Sequence, residues 1–257
     1  MGRVKTTPPA LALRGMVKHF GPKAAVAGAD LDVPAGSFFG VVGPNGAGKT
    51  TLLSMATGLL RPDAGQVQVL GTDLWADPVA GKRKLGILPD GMKLFDRLSG
   101  AELIHYAGVL RGMDPAVVAE RRAALLAALD LEDAADVLVV DYSAGMTKKI
   151  ALATALVHAP PVLVLDEPFE AVDPVSGMTI RRILRTFVDN GGTVVLSSHV
   201  MELVEGLCDH VAVMADGLVR AAGTLDEVRA GRSLQDRFVE LVGGARDEVE
   251  GLEWLRI

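Results

Sequence analysis

Cysteine is nearly missing from this 257-residue sequence, with Cys208 the only one. No internal disulfide can form and no thiolate cluster can hold zinc, which fits a reducing compartment. Cys208 itself reads as a small buried side chain. Aromatic residues are also sparse, at 4% against 49% apolar residues in all. A large core is therefore expected, built from Val, Leu, Ile, Ala and Met. There is no excess of positive charge. The formal net charge of −6 argues against a protein that grips nucleic acid through a basic face. There is no long apolar run either. The most apolar stretch, Ile150 to Leu165, is broken by His158, Pro160 and Pro161 and closed by Asp166 and Glu167. A spanning helix needs about 20 mostly apolar residues, so none is expected. The first ten residues carry Arg3 and Lys5 but lead into no apolar run of the signal-peptide kind. No basic amphipathic helix suited to a lipid surface appears, and no internal repeat.

What is present is two stretches of alternating strand and helix around a helical insertion. Leu11–Lys18, Ala25–Val33, Phe38–Val42, Gln66–Leu70 and Leu85–Leu88 read as strands, with a helix at Lys49–Thr57. From about Asp90 to Ala159 the pattern is helical. Ser99 with Glu102 forms a capping box, Asp114-Pro115 opens a helix over Val117–Leu129, and Gly145–Val157 is a third. Strands are then expected at Val162–Leu165, Thr193–Leu196 and Val211–Met214, the last with Leu218–Ala222 as hairpin partner. Helices are expected at Pro174–Val188 and Met201–Leu207. Two short helices, Leu225–Ala230 and Leu234–Val242, lead to an acidic tail containing Trp254 and Leu255.

Two motifs carry chemistry. Gly43-Pro44-Asn45-Gly46-Ala47-Gly48-Lys49-Thr50 fits the phosphate-loop pattern between a strand and a helix, with Thr51 following. Glycines let backbone N–H groups converge on phosphate oxygens, and the helix N-terminus adds its positive end. Lys49 can reach the outer phosphates, and the Thr50 hydroxyl can ligate Mg²⁺. The second motif is the apolar strand Val162–Leu165 ending in Asp166-Glu167. Carboxyl ends of parallel strands are where α/β sheets gather ligand chemistry. Asp166 there would hold Mg²⁺, and Glu167 would polarise the attacking water as general base.

The residues around these motifs narrow the choice. In Tyr142-Ser143-Ala144-Gly145-Met146, Ser143 lies 23 residues before Asp166 and opens a helix. This resembles the Leu-Ser-Gly-Gly-Gln signature of ABC ATPases. Ala171-Val172-Asp173 resembles the family's D-loop, and Ser197-Ser198-His199 its switch histidine. Asp90 stands in the place of the family's Gln. Phe20 is either the aromatic that stacks on adenine or a core phenylalanine at a strand end. The closest subtype resembles exporter ATPases that pair with a separate permease chain, where Tyr-Ser-x-Gly-Met is followed by basic residues, here Thr147-Lys148-Lys149. His19, His105, His158 and His210 lack such a context and read as solvated or packed.

The resemblance covers about residues 10–225. It implies a RecA-like α/β phosphate-loop NTPase core (10–89 and 160–225) with an inserted helical signature subdomain (90–159), followed by a short helical extension and tail (226–257). It implies an ATPase using ATP and Mg²⁺, with Lys49, Glu167 and His199 in catalysis and Thr50, Asp166 and Asp90 toward the metal. Nucleotide would be held by Phe20, the loop Gly43–Thr51, Asp90, and the signature residues Ser143, Gly145 and Met146 with Asp173. Two such subunits, identical or merely similar, would stack head to tail so that one's signature meets the other's nucleotide. The partner would be a transmembrane permease, placing the chain at the cytoplasmic face of the cell membrane. A soluble relative acting on DNA or ribosomes would carry a long coiled coil or a second cassette, and this chain has neither. A non-hydrolysing regulatory module would have lost Lys49, Glu167 or His199, and all three are present. Asp90, Ala144, Met146 and Glu170-Ala171-Val172 depart from the family pattern.

Overall fold

The computed structural model describes residues 8–243. Arg3 and Lys5 at one end, and Trp254 and Leu255 at the other, lie outside the described residues. The strands are β1 (Leu11–Phe20), β2 (Lys23–Val33), β3 (Phe38–Val42), β4 (Ala64–Val69), β5 (Thr72–Asp73), β6 (Leu85–Leu88), β7 (Val162–Leu165), β8 (Thr193–Ser198), β9 (His210–Ala215) and β10 (Leu218–Thr224). The helices are α1 (Lys49–Ala56), α2 (Pro78–Arg83), α3 (Gly100–Leu110), α4 (Pro115–Ala128), α5 (Ala144–Leu156), α6 (Pro174–Asp189), α7 (Met201–Leu207), α8 (Leu225–Arg229) and α9 (Leu234–Val242).

These strands form two sheets. β2-β1-β4-β5 is antiparallel, and β10-β9-β3-β8-β7-β6 is parallel except for its edge hairpin strand β10. The pleat divides the core in two. Phe39, Val41, Val162, Val164, Val195, Ala212 and Met214 face the antiparallel sheet and α1. Phe38, Val42, Leu163, Leu165, Val194, Leu196, Val211 and Val213 face the helices on the other side. Covering both faces is why these strands read as continuous apolar runs. Gly40 shows how tight the second layer is. A Cβ there would come within 2.6 Å of Val204 and 3.2 Å of the Cys208 sulfur. Cys208 is buried, and that burial raises its thiol pKa.

The insertion leaves the sheet between β6 and β7, which pair as parallel neighbours at the edge. It contains α3, α4, α5 and two short 3-10 turns. Its start differs from the expected helical stretch. Residues 91–98 hold no regular element, and helix begins only after the Ser99–Glu102 capping box. Besides those 3-10 turns, two elements were not anticipated, the two-residue β5 and the six-residue α2, which Asp77 caps and Pro78 opens. β1 also runs two residues further than expected, carrying Phe20 on its end. Among the described residues, no helix is long and apolar enough to cross a membrane.

Candidate active site

Because β3, β6, β7 and β8 run parallel, their carboxyl ends share one edge of the sheet. From these ends come the phosphate loop, Asp90, the pair Asp166-Glu167 and His199. β3 lies between β8 and β9, so the crossovers part beside the phosphate loop, where ligands bind in open α/β sheets.

The loop is fixed by its glycines. Gly46 and Gly48 have φ of 82° and 101°, a region that only glycine enters freely. A Cβ on Gly48 would strike the Ala25 carbonyl of β2, and one on Gly43 would stand 2.5 Å from the Met214 carbonyl of β9. The turn after β9 also grips the loop, as Gly217 N–H donates to the Ala47 carbonyl at 3.1 Å. Lys49 is buried, with Nζ donating to the Gly43 and Pro44 carbonyls at 2.7 and 3.3 Å.

At the end of β7, Asp166 is buried and accepts a hydrogen bond from the fully buried Ser197 hydroxyl. The same Ser197 oxygen accepts from Glu167 N–H at 2.9 Å. Glu167 has a left-handed backbone, φ 46°. Its carboxylate lies 3.9 Å from Lys49 Nζ and 3.0 Å from His199 Nδ1. A cleft of about 440 Å³ opens over these groups, walled by the loop residues Asn45 to Thr51, Asp90, Glu167 and His199. Phe20 stands at its margin, 53% exposed. That exposure excludes the core alternative for Phe20. The carboxylate of Asp90 caps its own loop, accepting from Gly91 N–H at 2.8 Å.

The other candidates lie elsewhere. Ser143 caps α5, its hydroxyl oxygen accepting from Met146 N–H at 3.2 Å. Gly145 packs against the start of α6, where a Cβ would come within 2.7 Å of Asp173 Oδ2 and Ser176 Oγ. Asp173 caps α6 through the N–H groups of Val175 and Ser176 at 3.0 Å each. Those bonds to Ser176, backbone first, hold its carboxyl below the usual carboxylate range. Ser143, Gly145, Met146 and Asp173 are not among the walls of the cleft in their own chain.

Sequence reasoning gave no site role to three contributors, although it named Ser197 and Glu170 within motifs. Glu170 and Lys23 also wall the cleft, and Ser197 ties Asp166 to Glu167. Of the histidines without a motif, His158 is packed. Burial, reinforced by the Arg111 cation, lowers its pKa to about 4, and Nε2 meets the Leu85 carbonyl at 3.0 Å.

Residues 26–170 match the family model of the ABC transporter. The chain belongs to the ABC transporter family. It is 38% identical over 221 residues to the daunorubicin/doxorubicin resistance ATP-binding protein DrrA of Streptomyces peucetius, covering 86% of this chain and 67% of that one. With the Nod factor export ATP-binding protein I of Rhizobium sp. strain N33 the identity is 35%, over 95% of this chain and 80% of the relative. A solved ATP-binding subunit of an ABC transporter superposes with a TM-score of 0.84 at 27% identity, covering 90% of this chain and 99% of its own. A dimeric ATP-binding cassette bound to ADP and Pi shares the fold, with a TM-score of 0.77 at 23% identity over 84% of this chain and 98% of its own. The chain is thus an ATP-binding subunit of the ABC type, with relatives in drug resistance and export.

Proposed function

We propose that this chain hydrolyses ATP in the cleft over the phosphate loop, as one of two subunits stacked head to tail, and drives export through a separate permease. The observation that carries this is the division of the site. The phosphate loop, Glu167 and His199 wall one cleft, with the buried Asp166 tied to Glu167 through Ser197, while Ser143 and Gly145 open a helix elsewhere in the same chain. A second subunit would bring its own signature to the nucleotide. Phe20 would stack on the base, and Asn45 to Thr51 would donate backbone N–H groups to the phosphates. Lys49 would exchange its loop carbonyls for phosphate oxygens.

The residues fit Mg²⁺. Among the described residues no cluster of three or more His, Cys, Asp or Glu could cage a metal. Mg²⁺ needs none, since it keeps several waters and binds through one or two protein oxygens plus substrate phosphates. Thr50 and Asp166 would supply the direct or water-mediated oxygens, with Asp90 acting through a water. When bound, the ion neutralises charge on the phosphates. Glu167 would take the proton of the attacking water, and His199 would hold Glu167 and the outer phosphate in register.

The permease would dock at the junction of core and insertion. There Phe95 is 59% exposed and meets Tyr106 edge-on, with ring centroids 5.4 Å apart. Met92 and Leu94 instead pack against the core, so only part of this segment is free for contact. The test is Glu167→Gln, which keeps shape but loses basicity. ATP-bound dimers should accumulate in size-exclusion chromatography while phosphate release nearly stops. Turnover at the wild-type rate would remove Glu167 from the base role.

A further inference from the structure

The backbone of Glu167 is held in a conformation that a non-glycine residue does not adopt freely. Such an outlier persists only where the surroundings fix it, and it points toward function. Three groups fix this one. Ser197 Oγ accepts from Glu167 N–H, and Glu170 N–H donates to the Glu167 carbonyl at 3.2 Å. The third group comes from the insertion. Lys148 Nζ donates to the same carbonyl at 3.1 Å.

Lys148 lies on α5, in the turn that follows Ser143, Gly145 and Met146. It is half-buried and lines a cavity of about 270 Å³ between the core and the insertion, together with Asp90, Met92 and Glu170. The helix whose N-terminus carries the signature therefore reaches, through one ammonium group, the backbone of the candidate base in its own chain. A shift of α5 relative to the core would pull on that carbonyl. The carboxylate, one residue's rotation away, would then move against Lys49 and His199, which it meets at 3.9 and 3.0 Å.

We infer that Lys148 is a positioning residue: it ties the signature helix to the backbone of Glu167 and so makes the readiness of the base depend on where that helix sits. The inference rests on the reading of Glu167 as the base. Lys148 is not among the walls of the cleft over the phosphate loop. It acts by fixing φ and ψ of Glu167, so its loss should impair the chemical step and leave ATP binding alone.

The test uses the full chain with three variants. Lys148→Met keeps the apolar stem and removes the donor, Lys148→Arg restores a donor, and Glu167→Gln stands beside them. For Lys148→Met we expect kcat to fall about tenfold or more, with KM for ATP and the calorimetric Kd within about twofold of wild type. Lys148→Arg should recover most of the lost kcat. A merely structural role would move KM, Kd and thermal stability together and would not be rescued through the donor. Wild-type kcat in Lys148→Met, or equal losses in Kd and kcat, would overturn the inference if Glu167→Gln is inactive. Should Lys148→Met fail to fold, Lys148→Gln, a polar side chain too short to reach, replaces it and must show the same split. If Glu167→Gln itself turns over normally, the base reading falls, and the positioning role with it.

Discussion

Ser197→Ala should damage both stability and turnover, because one hydroxyl serves two neighbours. Ser197 is fully buried on β8, and its O–H donates to the Asp166 carboxylate while its oxygen accepts from Glu167 N–H at 2.9 Å. Removing it deprives a buried carboxylate of a donor, worth about 1.5–3 kcal/mol for a bond to a charged group. It also leaves a backbone N–H without a partner, at about 1–3 kcal/mol when sealed from water. Glu167 borders the open cleft, so water can answer part of the second loss, and a net cost of about 2–4 kcal/mol follows. In a chain of this size each kcal/mol moves Tm by about 2–4 °C, so calorimetry should show a fall of about 4–16 °C. The kinetic effect has a separate origin. The two carboxylates lose their common anchor, and a misplacement of about 1 Å costs on the order of 100-fold in rate. Phosphate release should drop by about 10- to 100-fold. Ser198→Ala is the control. Its oxygen only accepts from Val200 N–H at 3.0 Å, so it should lose some stability but little turnover. If Ser197→Ala melts and turns over like wild type, or if Ser198→Ala loses as much kcat, the anchoring role is wrong.

Lys49→Ala removes the cation proposed to face the outer phosphates, and ATP affinity by calorimetry should drop by at least about tenfold, a loss of roughly 1.4 kcal/mol; unchanged affinity with Mg²⁺ present would contradict the phosphate-loop assignment. Ser143→Arg should bind ATP as a monomer, yet fail to form the dimer that Glu167→Gln accumulates, as seen by size exclusion of the double variant. Failure to bind ATP at all would refute the trans placement of the signature. Asp90→Ala should leave ATP binding nearly intact and lower the isolated chain's turnover only about two- to threefold, a cost below about 1 kcal/mol, with the larger loss in stimulation by the reconstituted permease. Equal losses with and without the permease would make Asp90 purely catalytic.

The sequence revealed the parts of this molecule whose structure is set locally. Val162–Leu165 is legible as a buried strand because both of its faces are covered. Ser99, Asp114, Asp173 and Ser143 announce their helices because a capping side chain bonds within three residues of itself. What escaped notice was either small or tertiary. α2 buries only Gly81, so no apolar stripe marks it, although Asp77-Pro78 is a usable start signal. Phe20 could not be decided from its neighbours, since its exposure depends on where the phosphate loop lands against β1 and β2. Ser197 and Lys148 meet Asp166 and Glu167 across 31 and 19 residues, and nothing local foretells those bonds.

The departures from the family pattern also acquire a physical ordering. Within the signature, Gly145 cannot accept a side chain, because Asp173 and Ser176 already occupy the place of its Cβ. Ser143 is bound by its geometry too. Its oxygen caps Met146 N–H, which leaves the hydroxyl hydrogen free to donate outward. Ala144 and Met146 answer to no such constraint. Ala144 is the exposed first residue of α5, where a methyl group fits without strain. Met146 serves the cap through its backbone, while its side chain packs against the core of the insertion. The anion binding proposed for this helix start would therefore rest on a hydroxyl and on backbone N–H groups, neither of which the two substitutions remove. Asp90 is a different case. It sits on the cleft wall with its carboxylate turned to Gly91 N–H, and to meet a nucleotide-bound ion through water it must give up that bond. Its engagement would then depend on how residues 91–98 are held, and those residues lie beside the surface proposed for the permease.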